Sequence, residues 1–388
     1  MFAMRTVSGL VACSLLAGLP ARAASESVVY AFRGGSDGAN AEAPLIDVGG
    51  TLYGTTGHGG GSANCLAGCG TVVKVTQNGT ETVLYAFQGG NDGAYPQSAL
   101  INVDGALYGT TFLGGGSANC VIYGCGTVFK VTKDGVETVL HAFQGGSDGT
   151  YPLAGLINVD GTLYGTTKLG GGAGCGGYGC GTVFALNLKT GAETVVYAFK
   201  GGSDGANPAS PLINVGGTLY GTTTAGSKSR KGTVFKVTTA GAETVLHAFQ
   251  GAPDGASPQS PLINVGGALY GTTNRGGTKG RGTVFTMTMA GAESVLYSFK
   301  NRSDGGYPSS GLIEVGGTLY GTAALGGTHY NGMVFKITSD GAEKVVYSFR
   351  GGSDGSMPTG LIEVGGTLYG TTYVYGAGGG GTVFELTR

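Results

Sequence analysis

Leu100–Phe143 reads LINVDGALYGTTFLGGGSANCVIYGCGTVFKVTKDGVETVLHAF and divides into two hairpins. Leu100-Ile101-Asn102-Val103 and Ala106 to Thr111 flank Asp104-Gly105, the two-residue turn whose central positions both take positive φ. GTVFKVT and ETVLHAF then flank a short turn ending in Gly135. β-Branched and aromatic residues fill all four runs, as a pleated and largely buried surface favours. We label the runs a (LINV), b (ALYGTT), c (GTVFKV) and d (ETVLHAF). A glycine-rich loop joins b to c, and a connector close to GGSDGxxP joins d to the next a.

The rest of the chain repeats this stretch. LYGTT, once written LYGTA, recurs at Tyr53, Tyr108, Tyr164, Tyr220, Tyr270, Tyr320 and Tyr369. Repeats begin near residues 28, 83, 139, 195, 245, 295 and 345. A period near 50 residues is that of propeller blades, whereas solenoid rungs are usually about 20 to 30 residues. No stretch after residue 23 carries a 3.6-residue period, so the reading is all-β with almost no helix. The ends provide an internal check. The last repeat stops after strand c, at Gly381 to Thr387, while Glu26 to Phe32 is a strand d with no hairpin before it. The expected fold is therefore a seven-bladed β-propeller of four-stranded antiparallel blades, closed by the N-terminal strand.

The run GGTLYGTT, a glycine-containing loop, then GTVFK resembles the GloVer tandem repeat of bacterial exported proteins with varied anchoring ends. The resemblance spans residues 24–388 and implies export and surface display without implying a reaction. The unit is also similar in layout to the quinoprotein-type blade. Those blades carry a recurrent docking tryptophan and this chain has none, so no quinone cofactor is carried over.

Composition narrows the function classes. A net charge of -1 and a pI near 6.4 argue against a nucleic-acid partner. Arg5, the apolar run VSGLVACSLLAGL and Ala21-Arg22-Ala23 have the order of a secretory signal over residues 1–23. The alternative is a lipoprotein box ending at Cys13. Either reading sends the chain to the periplasm, cell surface or exterior, with no membrane span in residues 24–388. Cys65/Cys69, Cys120/Cys125 and Cys175/Cys180 form three close pairs, expected as local disulfides in an oxidising compartment. Closing so short a loop contributes about 2 kcal/mol each.

The polar residues that recur in every blade admit a structural and a chemical reading. Asp37, Asp92, Asp148, Asp204, Asp254, Asp304 and Asp354 stand in the connector, each before a glycine. They suit a turn in which the carboxylate accepts backbone N–H bonds. The sharper alternative is a carboxylate ring at one channel mouth holding a cation such as calcium. Glu26, Glu81, Glu137, Glu193, Glu243, Glu293 and Glu343 open strand d and read as charges guarding an outer edge. His141 and His247 stand where other blades have tyrosine, as variants of a packing position. His58 and His329 are single loop residues, and Glu314 and Glu363 replace an asparagine of strand a.

Residues that differ between blades lie in the b-to-c loops and connectors, which emerge together on one face. Loops held by a rigid scaffold are the usual home of binding residues. Candidate ligand contacts there are Tyr95, Tyr151, Tyr307, Tyr330, Tyr373 and Tyr375, with Lys228, Arg230, Lys231, Arg275, Lys279 and Arg281. Tyr123 and Tyr178 lie inside cysteine loops, and Glu42 is the one clear acid of this face outside the repeat pattern. Tyrosines suit stacking on sugar rings and the cations suit acidic substituents. No HExxH or P-loop occurs. The sequence thus points to an exported, non-catalytic glycan- or polymer-binding protein with no cofactor beyond the calcium a carboxylate ring would hold; it does not set the oligomeric state, for which a monomer is the default. A structural or protein-interaction scaffold is the alternative, and a carbohydrate-active enzyme the second alternative.

Overall fold

The computed structural model describes residues 24–117, 119–120, 124–300, 303–308 and 310–387. Residues 1–23, where a secretory signal is expected, include Cys13 and lie outside the described residues, as does Tyr123. Seven antiparallel sheets form a ring of blades, each ordered a-b-c-d. In blade 2 the strands are Ile101–Val103, Ala106–Thr111, Thr127–Val131 and Glu137–Ala142. Strands a of neighbouring blades approach one another and so line the axis, which leaves strand d outermost. Helical structure among the described residues amounts to three single turns, Cys175–Gly177, Gly202–Asp204 and Gly352–Asp354.

The ring closes as the orphan strand requires. Ser25–Ala31 pairs antiparallel with Thr382–Thr387, from Ser25 opposite Thr387 to Ala31 opposite Thr382. The Phe32 amide then donates to Gly381 O at 2.9 Å. Blade 7 therefore takes strands a to c from one end of the chain and strand d from the other.

Two local devices build each blade. The a–b turn takes positive φ at both central positions, 50° at Asp104 and 85° at Gly105, matching the right-handed twist of its strands. Between c and d the register slips by one residue in all seven blades, between Val128 and Phe129 in blade 2. This bulge bends the outer strand and redirects the side chain that follows it, Tyr30 or its counterparts.

Aromatic packing joins the blades. The phenylalanine after strand d meets the strand-c phenylalanine of the next blade edge to face, as in Phe87–Phe129 with ring centroids 5.0 Å apart. Five further junctions repeat this geometry. At the seventh, Phe32 packs in a cluster with Val73. The invariant glycine of LYGTT follows from the same packing: a Cβ on Gly109 would lie 2.7 Å from Phe129 Cζ.

On the buried side of the b–c pair, paired threonine hydroxyls hydrogen-bond across the strands, as in Thr111–Thr127 at 2.8 Å. In blade 6 the same register holds Ala323 opposite Met333, so both partners of the polar pair are replaced together.

Candidate functional site

Two belts of polar residues stand out, one on the outer rim and one on the loop face. On the rim, each connector aspartate accepts the backbone N–H four residues earlier, at distances from 2.5 Å (Gln88 to Asp92) to 3.0 Å (Arg33 to Asp37). In five blades it also accepts the hydroxyl of the outer-strand tyrosine, at 2.6 Å for Tyr85 to Asp92. The turn reading of the aspartates is the one seen. A ring at the channel mouth is not formed, because each Asp is tied to strand d, the strand farthest from the axis. The aspartates converge by blade junction, not on one point.

The strand-d glutamates depart from the expectation of solvated edge charges. Each is half-buried and faces the aspartate of the junction before it: Glu81 with Asp37, Glu137 with Asp92, and onward to Glu26 with Asp354. Burial, with the nearby Asp charge adding to it in each, pushes all seven carboxyls up to about 7. Each junction thus holds two carboxyl groups sharing a confined space. Five carry a tyrosine hydroxyl and two carry a histidine, at His141 and His247.

The loop face is built by the connectors. One residue in each adopts left-handed φ: Asn40, Tyr95, Tyr151, Asn207, Ser257, Tyr307 and Met357. Its N–H donates to a carbonyl of the preceding blade, at Gly380, Cys69, Cys125, Cys180, Lys231, Arg281 and Asn331 respectively. The three disulfides Cys65–Cys69, Cys120–Cys125 and Cys175–Cys180 form as expected, and in blades 1 to 3 they anchor that carbonyl. Lys231 and Arg281 occupy the same position as the second cysteine. Backbone bridges such as Ala39 with His58 and Ala94 with Leu113 hold connector and b-to-c loop side by side.

From this frame the face opens into a cavity of about 420 Å³ spanning blades 5 to 7 and the connector into blade 1. Its lining includes Tyr307, Leu325, Met357, Tyr373, Asn274 and Glu42. Beside it a smaller cavity of about 150 Å³ shares Tyr307 and Leu325 and adds Arg281 and Tyr330. The Arg281 guanidinium donates to the Tyr307 hydroxyl and lies 5.1 Å from that ring centroid. Burial pushes the Glu42 carboxyl up to about 7, opposed by its hydrogen bond with Gln97. Burial also raises the Tyr373 hydroxyl, with the Glu42 charge adding to it.

Of the candidate contacts, Arg281, Tyr307, Tyr330 and Tyr373 are therefore brought together. Tyr95 rests instead on His58, with centroids 5.2 Å apart, and Tyr151 on Phe112 at 4.9 Å. Tyr375 is exposed, as are Lys228, Arg230, Lys231, Arg275 and Lys279, and these do not line either cavity. Glu314 and Glu363 cap the a–b turn through their Oε1 atoms as asparagine does in other blades. Glu42 was visible in sequence as a glutamate where other connectors have Gln97, Leu153, Ala209, Gln259 and Thr359. Leu325 and Met357 carried no such signal, because an apolar residue in a loop looks like any other until a cavity forms beside it.

The Gloeobacter/Verrucomicrobia repeat matches residues 19–178 and again 173–384. The chain belongs to this repeat family. Its repeats thus carry both the junction belt and the cavity. No curated protein matches in sequence. Solved structures share the fold at low identity. One is the extracellular domain of the putative hybrid two component system BT4673 from B. thetaiotaomicron, at TM-score 0.58 and 11% identity; the alignment covers 94% of this chain and 39% of that one. The computationally designed Ika8 protein aligns at TM-score 0.53 and 12% identity, over 93% and 99% of the two chains. Oligogalacturonate lyase in complex with manganese aligns at 0.52 and 12%, over 87% and 86%. No helix among the described residues is long and apolar enough to cross a membrane.

Proposed function

We propose that this repeat protein is an exported, non-catalytic binding protein that seats a glycan or similar surface polymer in the cavity spanning blades 5 to 7. The observation that carries the reading is the lining itself. Tyr307 and Tyr373 offer flat apolar surface, Leu325 and Met357 extend it, and Asn274, Glu42 and Arg281 supply the few polar groups that orient a ligand. Stacking on sugar rings uses such surfaces, and a Glu42 carboxyl that stays protonated in mild acid donates to a hydroxyl or an acidic substituent. The exposed Lys228, Arg230, Lys231, Arg275 and Lys279 on the same face favour acidic polymers. Three disulfides, a signal-like N-terminus and an extracellular domain among the similar folds support export.

The test is a glycan array probed with residues 24–388, alongside the variants Tyr307→Ala and Tyr373→Ala. Retention of defined glycans, lost in both variants with the melting temperature unchanged, is expected; no retention of any polymer overturns the reading. A second reading, a carbohydrate-active enzyme, draws on the raised Glu42 carboxyl. Paired-carboxylate hydrolysis requires a second acid, and the cavity lining contains none beside Glu42. Product release from a polysaccharide panel, abolished in Glu42→Gln, would establish it against the binding reading.

A further inference from the structure

We propose that two of the seven blade junctions are binding sites for a divalent transition-metal ion of the zinc class. One is His141, Asp148 and Glu193, between blades 2 and 3. The other is His247, Asp254 and Glu293, between blades 4 and 5. In each trio one donor atom per residue lies within 4.8 Å of the others.

The argument rests on what changes between junctions. The five tyrosine junctions hold the same Asp and Glu, but the phenol O–H donates a short bond to the aspartate, from 2.6 Å at Tyr197 to 2.9 Å at Tyr347. A neutral phenol so engaged has no lone pair to offer in that direction, and a proton is what reconciles the two carboxyls. An imidazole nitrogen is a strong metal ligand. Its spacing differs too. His141 Nε2 stands 3.2 and 3.4 Å from the two Asp148 oxygens, and His247 Nε2 stands 3.3 and 3.2 Å from those of Asp254. A charge-assisted N–H···O bond is shorter, about 2.7–2.9 Å. Two donors each about 2.1 Å from a tetrahedral ion sit about 3.4 Å apart.

The third ligand is within reach at both sites, its donor oxygen inside the same 4.8 Å. Glu193 Oε1 and Glu293 Oε1, like the same atom of the other five strand-d glutamates, are closed to solvent and have no hydrogen-bond donor among the described residues; only here does an imidazole face that atom. Two carboxylates and a neutral imidazole leave a charge that one divalent cation cancels. A single nitrogen with few oxygens suits zinc, cobalt or nickel better than calcium, which takes six to eight oxygen ligands. The ion would clasp the outer strands of adjacent blades, since Glu193 opens strand d of blade 3 while His141 lies on strand d of blade 2.

The repeat supplies its own control, because tyrosine already fits this position five times. Residues 24–388 are stripped with chelator, titrated with Zn²⁺ alone by calorimetry, and the metal retained after gel filtration is counted. Two ions per chain are expected, with His141→Tyr and His247→Tyr each halving the count and the double variant retaining none. Zinc should raise the melting temperature of the unaltered protein and leave that of the double variant unmoved. Glu193→Gln, which keeps the imidazole, should also lose one ion. No stoichiometric zinc on the unaltered protein, or two ions still held by the double variant, overturns the proposal.

Discussion

The outer rim and the loop face of this propeller use the same repeat in opposite ways. On the rim the set of an aspartate, a glutamate and a tyrosine or histidine is written seven times, with two histidines as the single departure. On the loop face the left-handed connector residue keeps its backbone bond in every blade while its side chain runs through Asn, Tyr, Ser and Met. A group needed for packing recurs wherever the packing recurs. A group free of that packing need not recur, and Glu42, Tyr307, Leu325 and Tyr373, which line one cavity, fall in one sector.

The largest effect expected is on closure. Removing residues 24–32 leaves Thr382–Thr387 unpaired along its outer edge and takes Phe32 from the core it shares with Val73. Loss of a single cooperative melting transition is expected by calorimetry; an unchanged melting temperature would contradict ring closure.

Next comes the junction packing. Gly109→Ala should cost about 1–3 kcal/mol in denaturant unfolding, because the new methyl meets the Phe129 ring and Leu100. Gly54→Ala should cost less, since Val73 replaces that phenylalanine and the nearest atom is the end of the Leu45 side chain. Equal costs would mean that the aromatic junction does not set the glycine.

Blade 6 suggests a sharper test. Thr111→Ala leaves the buried Thr127 hydroxyl without its partner, at about 1–3 kcal/mol. Adding Thr127→Met, which installs the pair found at Ala323 and Met333, should recover most of that loss. A double variant no better than the single one would show that blade 6 relies on something else.

The rim should also make stability depend on pH. The seven strand-d carboxyls have folded pKa values near 7 against 4.5 for the ordinary group. The folded state therefore binds more protons than the unfolded chain between these values. Their contribution is full below about pH 4.5 and is lost as pH rises through 7. The melting temperature should be higher at pH 5 than at pH 8, and replacing the seven glutamates by glutamine should flatten that slope. A rise with pH across the window would reverse the assignment. The smallest effect on stability belongs to the loop face: neutralising the exposed Lys228, Arg230, Lys231, Arg275 and Lys279 should leave unfolding unchanged while lowering retention on acidic polysaccharide.

The fold was largely legible because repetition converts weak local signals into a strong one. Asp104-Gly105 alone marks a turn; seven such turns at one period, with strand d displaced to the front of the chain, specify a closed ring. The sites were less legible. Tyr95 and Tyr307 look alike in sequence, each before a proline, yet one packs on His58 and the other lines a cavity. The strand-d glutamates look like edge charges because nothing in one repeat reveals that the connector leaving the preceding blade brings an aspartate against them.

By itself the sequence determined the strands, their order, the closure and the disulfide pairs. These depend on residues near one another in the chain or on the period. Tertiary structure alone decided which side chains meet across a junction, that the aspartates stand on the rim, and that Glu42 shares a cavity with Tyr373. Those contacts join residues one blade or most of the chain apart, and their geometry depends on how each blade is tilted and bulged against the next.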